Sequence, residues 1–115
     1  VEYLNPNSSY YLSIKVDYPN AFDKSKTDFA DDRKMGGDIF IHGKSANIGC
    51  IPIGDKAIEE VFLLTHKAIR KYIKIIISPR DFRVKPRYPK IQHITWENEL
   101  YDTIHQELIR LPLAN

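Results

Sequence analysis

The only cysteine of the chain and one of its four histidines stand close together in DIFIHGKSANIGC, residues 38–50. His42 ends a short alternating strand, and Cys50 directly follows a glycine. A thiol with an ordinary pKa of about 8.5 becomes a nucleophile only when a base or a positive environment favours its thiolate. A histidine held at a strand end supplies such a base. Attack of the thiolate on an acyl carbon then gives a thioester that a second nucleophile resolves.

Such chemistry needs two further parts, a group that orients the imidazole and hydrogen-bond donors for the oxyanion. The backbone amides around Gly49 and Cys50 are natural donors, because Gly49 lets the chain approach a substrate without an intervening side chain. The spacing by itself leaves a second interpretation open, in which Cys50 is a small buried hydrophobic residue and His42 a surface or capping residue.

The elements that would position this pair follow from composition and periodicity. Strands are predicted at residues 10–16, 38–42 and 73–78, the last almost continuously apolar. The connections are predicted as a turn at 5–8, a long loop at 17–37 with one helical turn near 22–29, and a basic, proline-rich loop at 80–90. With two helices added, the order predicts an α+β fold, mainly β, built as a sheet or β-sandwich with added helices.

The two predicted helices carry amphipathic patterns. Asp55 is expected to cap the first helix. Its buried face is predicted to comprise Ile58, Val61, Phe62, Thr65, Ala68, Ile69 and Tyr72. Thr95 is expected to cap the second helix, which runs to Leu111 with Trp96 near its start. The buried stripe of that helix is predicted to be Leu100, Ile104 and Leu108.

Length and composition limit the classes of protein that are possible. A chain of 115 residues suits one domain, residues 1–115. The formal charge of +2 is too balanced to indicate a nucleic-acid partner, and one cysteine excludes an internal disulfide. No apolar stretch is long enough to span a bilayer. His66, His93 and His105 lack the spacing of a metal site, and we expect neither a metal nor a cofactor.

The motif around His42 and Cys50 resembles a known family. IFIHG followed by IGCIPIGD is similar to the YkuD-type L,D-transpeptidase family, in particular its YafK-like branch, in which HG, a variable loop, GC and an IPI-like segment recur. The upstream segments NPNSSYYLSIKVDYPN and GGDIFIHG resemble the same branch. The resemblance therefore runs from about Tyr3 to about Phe62, with a weaker match at residues 73–78.

This resemblance implies a cell-wall enzyme that acts on peptidoglycan stem peptides. Cys50 would attack the carbonyl of the meso-diaminopimelate residue and expel the terminal D-alanine, with His42 as general base. The backbone carbonyl of Gly43 would orient the imidazole, and the amides of Ile48, Gly49 and Cys50 would form the oxyanion hole. The acyl acceptor would be another stem or the lysine of a wall-attached lipoprotein, whereas water would give hydrolysis.

Three positions differ from the commoner family pattern. Asn47 and Ile48 stand where Ser or Thr and a second His precede GC, and Pro52 stands where Arg is common. Transfer therefore remains open against hydrolysis by an L,D-endopeptidase or amidase. A catalytically silent wall-binding module is a further alternative. So is a cysteine peptidase of different architecture, although its cysteine would usually open a helix, and here Pro52 and Gly54 intervene.

Substrate contacts are predicted at Asn47, Asp38, Tyr11 and Tyr18. The amide of Asn47 can donate and accept hydrogen bonds. Asp38 follows two glycines, and its use in a turn competes with contact to a substrate amine. The tyrosines, with Tyr10, could line a groove for an extended peptide, although strand aromatics more often pack in a core.

The chain begins at Val1 with neither Met nor a signal sequence. We expect a domain excised from a longer exported protein, truncated at its N-terminal side. The resemblance implies the periplasm or cell envelope of a diderm bacterium, where a free thiol without a partner escapes disulfide formation.

Overall fold

The computed structural model describes residues 1–26, 36–45, 50–90 and 94–113. They fall into two compact units, Val1–Lys74 and Ile75–Asn115. The first unit contains β1 (Tyr3–Ser8), β2 (Tyr11–Lys15), α1 (Ala21–Ser25), β3 (Phe40–His42), β4 (Ile51–Pro52) and α2 (Asp55–Lys67). The second contains α3 (Glu97–Ile109). The predicted α+β class is confirmed, and the single-domain assignment stays a prediction.

The four strands form one sheet in the order β1-β2-β3-β4. The first two pairs are antiparallel, and β3 pairs with β4 in parallel. Ser13 lies opposite His42 on one side of β3, and Pro52 lies opposite it on the other. The strands predicted at residues 10–16 and 38–42 are therefore confirmed, with shorter bounds.

The turn predicted at residues 5–8 is wrong, because these residues belong to β1. Asn5 Oδ1 accepts from the amide of Asn7 at 3.0 Å, where the strand pairing shifts register. Ser8 Oγ accepts from the amide of Tyr10 at 3.1 Å. The turn-forming side chains thus support an irregular strand, and the chain reverses after it.

Helix α2 packs against β2 and β3 and begins at the predicted residue. Its N-cap is Gly54, however, and the expected cap by Asp55 is wrong because that carboxylate accepts from a loop amide instead. Ile58 is fully buried in the core of this unit, as is Ile14 of β2. Ile69 and Tyr72 lie beyond the end of the helix and are exposed, so the predicted apolar face ends before them.

The sequence also makes predictions for two further segments, one in the long loop and one at residues 73–78. The helical turn predicted in the long loop is present as α1, which Asn20 caps by accepting from the amide of Asp23 at 2.9 Å. The strand predicted at 73–78 is wrong, because the segment has no regular secondary structure. Ile73, Ile75 and Ile76 are only half-buried and Ile77 is exposed, so the apolar run is not a strand inside the sheet. No ladder among the described strands includes it.

The second unit packs α3 and a loop around Phe82, whose side chain is fully buried. Its ring contacts those of Tyr88, Tyr101 and His105, at centroid distances of 4.8, 5.5 and 5.9 Å. The N-cap of α3 is Trp96 without a side-chain cap bond, so the expected cap by Thr95 is wrong. The predicted buried stripe of Leu100, Ile104 and Leu108 is only half-buried, and the buried residues of α3 are Glu97 and Tyr101.

The loop predicted at 80–90 is confirmed. Arg83 donates to Asp81 at 2.7 Å and to the carbonyls of Leu111 and Pro112 at 2.9 Å. Its guanidinium holds the pKa of the Asp81 carboxyl below the ordinary value. Across the described ranges, no helix has the length and apolar character needed to cross a membrane.

Candidate active site

His42 is held at the end of β3 by neighbouring strands on both sides. Its carbonyl accepts from the amide of Ile53 at 2.9 Å, and the next amide, of Gly43, donates to Leu12 at 3.0 Å. Strand alternation places its side chain on the same face as Phe40. The residue is only 2% exposed. The fold therefore fixes both the position and the direction of this imidazole.

The ring nitrogens of His42 have different environments. Nδ1 lies 2.6 Å from the carbonyl oxygen of Gly43. A carbonyl can only accept, so Nδ1 carries the proton and Nε2 of the neutral ring keeps its lone pair. The ring of Tyr10 lies beside it, with centroids 4.5 Å apart at 41°. This arrangement presents a histidine that is ready to accept a proton through Nε2.

Glycine is the one residue type that fits position 43 without movement of its neighbours. A Cβ on Gly43 would lie 2.8 Å from the carbonyl oxygen of Tyr10, 2.8 Å from Asp55 Oδ1 and 3.0 Å from Ile58 Cγ2. Real Cβ atoms essentially never approach heavy atoms as closely as 2.8 Å. The glycine thus lets the chain pass between the β1–β2 turn and α2 while its carbonyl reaches His42.

Lys44, the next residue, is fixed by three hydrogen bonds. Its amide donates to Asp55 Oδ1 at 2.7 Å, and its carbonyl accepts from Gly54 at 3.2 Å. Its Nζ donates to the carbonyl of Ser9 at 2.9 Å. These bonds hold Lys44 in a left-handed backbone conformation, φ +57°, which is uncommon for a residue with a side chain.

Cys50 precedes β4 and is a free, half-buried thiol. Its Sγ lies 3.9 Å from the backbone carbonyl oxygen of Asp38, at the start of the segment leading into β3. Both Cys50 and His42 line a cleft of about 280 Å³. The other lining residues are Asn5, Asn7, Ser8, Ser9, Tyr10, Ser13 and Phe40. The structure therefore brings the predicted nucleophile and base to one cavity.

The cleft is bordered largely by the β1–β2 hairpin, and of the hairpin residues that line it the sequence pattern pointed only to Tyr10. Asn5, Asn7 and Ser8 have the composition of turn formers, and Ser9 carries no distinguishing pattern. The strand predicted at residues 10–16 could have pointed to them. If a hairpin precedes that strand, the residues before Tyr10 lie beside it. Of the tyrosines predicted to line a peptide groove, Tyr10 is the one that borders this cleft.

Several predicted site residues have other surroundings. Asp38 pairs with Lys15 at 3.4 Å, and Lys15 also contacts Glu2 at 2.9 Å. Hydrogen bonding to Glu2, and then to Asp38, raises the pKa of Lys15 above its ordinary value. Thus the backbone carbonyl of Asp38 faces the thiol, while its carboxylate, 57% exposed, forms an ion pair with Lys15. Its contact with a substrate amine stays a prediction.

The two other predicted tyrosines are not among the residues that border the cleft. Tyr11 has φ +75° and its hydroxyl donates to Glu59 of α2. That bond raises the pKa of Tyr11. Tyr18 precedes a cis peptide bond to Pro19. Asn47, Ile48 and Gly49, predicted for substrate contact and the oxyanion hole, lie outside the described residues.

The comparisons with known proteins point to one kind of relative. Over 59 residues the chain is 34% identical to "Putative L,D-transpeptidase YafK" of Escherichia coli K12, and equally to the protein of that name in the O157:H7 strain. The match covers 51% of this chain, and it spans only 22% of each relative's length. No family model matches the chain, and no solved structure does. The finding supports an L,D-transpeptidase-like relation for about half of the sequence.

Proposed function

We propose that this chain carries the catalytic centre of a cysteine-dependent acyl transferase that acts on peptidoglycan stem peptides, an L,D-transpeptidase. The observation that carries the proposal is the convergence of Cys50 and His42 on one cleft, with Nδ1 of the histidine bound to the carbonyl of Gly43. The partial identity to proteins named as L,D-transpeptidases supports the choice of substrate class.

The first half-reaction follows from the protonation of His42. Nε2 takes the proton from Cys50 Sγ, and the thiolate attacks the carbonyl carbon of the diaminopimelate residue. The tetrahedral intermediate collapses by breaking the bond to the terminal D-alanine, whose amine leaves with the proton held on Nε2. A thioester on Cys50 remains, and the neutral imidazole is restored.

The second half-reaction uses the same groups in reverse. An acceptor amine attacks the thioester, Nε2 takes its proton, and the thiolate of Cys50 is expelled and reprotonated from His42. The acceptor is another stem peptide or the lysine of a wall-attached lipoprotein. We assign the oxyanion hole to the amides of Ile48, Gly49 and Cys50, which act where negative charge develops on the attacked oxygen.

The border of the cleft suits an extended peptide. Its described side chains, apart from His42 and Cys50, are amides, hydroxyls and two aromatic rings, with none carrying a formal charge. Amides and hydroxyls both donate and accept, so they can bond to the alternating N–H and C=O groups of a peptide backbone. Action on the wall places the protein in the periplasm or cell envelope.

Hydrolysis of a diaminopimelate linkage is a second candidate, favoured by one observation. Pro52 of β4 lies directly opposite His42, at a position where the commoner motif has an arginine. Proline supplies neither a charge nor an amide donor there. An acceptor stem that relied on such a guanidinium would be held less well, and water would then compete for the thioester.

Acylation by a carbapenem, followed by intact mass, tests the proposal. Wild type should gain one adduct, Cys50→Ala should gain none, and His42→Ala should react more slowly by about 100-fold or more, the usual contribution of a general base. His66→Ala is the matched control, because His66 is an exposed histidine of α2 and the variant should react like wild type.

The outcomes separate the candidates. Folded wild-type protein that gains no adduct would refute an accessible acyl-accepting thiol and would favour a silent wall-binding module. Where an adduct forms, incubation with a tetrapeptide stem, with and without a stem amine acceptor, distinguishes the reactions. Both reactions release D-alanine from the tetrapeptide. Transfer also gives a cross-linked product that requires the acceptor, whereas hydrolysis gives the shortened stem whether or not the acceptor is present.

A further inference from the structure

The peptide group between Gly43 and Lys44 forms a hydrogen bond at each of its two ends. The Gly43 carbonyl oxygen accepts from His42 Nδ1 at 2.6 Å, and the Lys44 N–H of the same peptide donates to Asp55 Oδ1 at 2.7 Å. The two groups of a trans peptide point in opposite directions. The peptide therefore lies between a carboxylate on one side and the imidazole on the other.

We propose that Asp55 is the positioning and polarising residue of this site, and that it acts on His42 through the Gly43–Lys44 peptide. The inference rests on the proposed function, since it concerns how the general base is prepared. A carboxylate bound to the N–H draws the peptide's electrons toward the carbonyl oxygen, which then accepts more strongly. When the Gly43 carbonyl oxygen accepts more strongly from Nδ1–H, it stabilises the imidazolium that forms as His42 takes the proton from Cys50.

The geometry also explains why Asp55 does not cap its helix. The N-cap position of α2 is Gly54, and no side chain caps the helix there. The Asp55 carboxylate instead receives the Lys44 amide, while the closeness of its Oδ1 to a hypothetical Cβ on Gly43, 2.8 Å, shows how tightly it packs on this segment. Asp55 is also the first residue of α2, where the charge of a carboxylate interacts favourably with the helix macrodipole.

Several other charged and titratable groups of this unit have different partners. The tilted ring of Tyr10 packs against His42, and Lys44 donates from its ammonium to the Ser9 carbonyl. Lys15 is paired with Glu2 and with Asp38. On α2, Glu59 accepts from Tyr11. Among the described groups, Asp55 is the carboxylate that bonds to the peptide holding the imidazole.

Asp55→Asn separates charge from shape, because an amide oxygen can still accept from Lys44 while the negative charge is lost. The readout is the rate of iodoacetamide alkylation of Cys50 as a function of pH. Hydrogen bonds that follow one another in a chain strengthen each other by roughly 10–30% per bond. We expect the profile to move to higher pH and the rate at pH 7 to fall about threefold.

Two further variants serve as comparison and control for Asp55→Asn. Asp55→Ala removes the acceptor as well as the charge, and should react more slowly than Asp55→Asn and unfold at a lower temperature. Glu60→Gln removes one negative charge from an exposed position of the same helix, and should match wild type. An Asp55→Asn profile identical to that of wild type, with Asp55→Ala impaired, would overturn the relay and leave a purely structural tether.

The wild-type profile distinguishes failure of this inference from failure of the proposed function. If the wild-type thiol reacts like a free cysteine, both the proposed function and the role of Asp55 are refuted. If the thiol is activated but Asp55→Asn leaves its rate unchanged, only the role of Asp55 is refuted. Should Asp55→Asn fail to fold, NMR of the wild-type His42 ring decides. The inference requires a slowly exchanging, downfield proton on Nδ1, and a ring protonated only on Nε2 would overturn it.

Discussion

Gly43→Ala should be the most damaging small substitution in the site, because its added methyl group has no space. The new Cβ would stand 2.8 Å from the Tyr10 carbonyl oxygen, 2.8 Å from Asp55 Oδ1 and 3.0 Å from Ile58 Cγ2. One of these atoms is backbone, and Ile58 is completely buried, so neither can move freely. Relief requires the β1–β2 turn and α2 to separate by several tenths of an ångström.

Overpacking of this kind costs about 1–3 kcal/mol. For a chain of this size each kcal/mol corresponds to about 4 °C, so the melting temperature should fall by about 4–12 °C. The substitution also displaces the carbonyl that holds His42. We therefore expect alkylation of Cys50 at pH 7 to slow by at least about tenfold, since even a small displacement of the proposed base lowers the reaction rate strongly.

Two other glycines provide matched controls. A methyl group added at Gly37 would meet nothing within 4 Å, and its φ is not positive, so Gly37→Ala should be close to neutral. Gly54 also has open space but φ +83° and ψ 159°, a combination found almost only in glycine, so Gly54→Ala should cost about 1–3 kcal/mol from backbone strain alone. Circular dichroism melts of the three variants give the ranking. If Gly43→Ala melts like Gly37→Ala and keeps its thiol reactivity, the close packing around Gly43 is wrong.

Two further predictions concern packing and ionisation outside the cleft. Ile58→Ala should lower the free energy of unfolding by about 2–5 kcal/mol, because it empties a fully buried site. Leu64→Ala changes a side chain that is 66% exposed and should shift the denaturant midpoint little. Equal losses in the two variants would contradict the placement of Ile58 in the core. Tyr11→Phe should melt below wild type at neutral pH, because it loses the bond to Glu59. This bond raises the folded-state pKa of Tyr11. The difference in melting temperature should therefore be fully present below the unfolded-state pKa near 10 and disappear as pH rises through the folded-state pKa. A difference that is constant with pH would exclude the bond as its cause.

The local pattern was enough to locate several elements of the first unit. The amphipathic run after Gly54 predicted α2, since apolar side chains spaced three and four residues apart are typical of a helix with one buried face. The branched and aromatic residues of 10–16 and 38–42 predicted β2 and β3 in the same way. These predictions succeeded because each rests on residues close together in the sequence.

Predictions that depended on a distant partner were less reliable. Residues 5–8 have turn-forming side chains, yet pairing with β2 makes them a strand. Residues 73–78 have strand-forming side chains, yet no described strand pairs with them. A strand exists only where a second strand offers its backbone groups, and composition does not say whether one is in reach.

The sequence by itself predicted the chemistry of the site, from a solitary cysteine near a strand-end histidine in a motif that resembles a known family. Only the tertiary structure decided which groups prepare that histidine. Asp55 has the composition and position of a helix cap, but folding brings the Lys44 amide within 2.7 Å of it. A carboxylate bonds to whichever donor the packed chain places nearest, and that choice depends on how α2 meets the sheet.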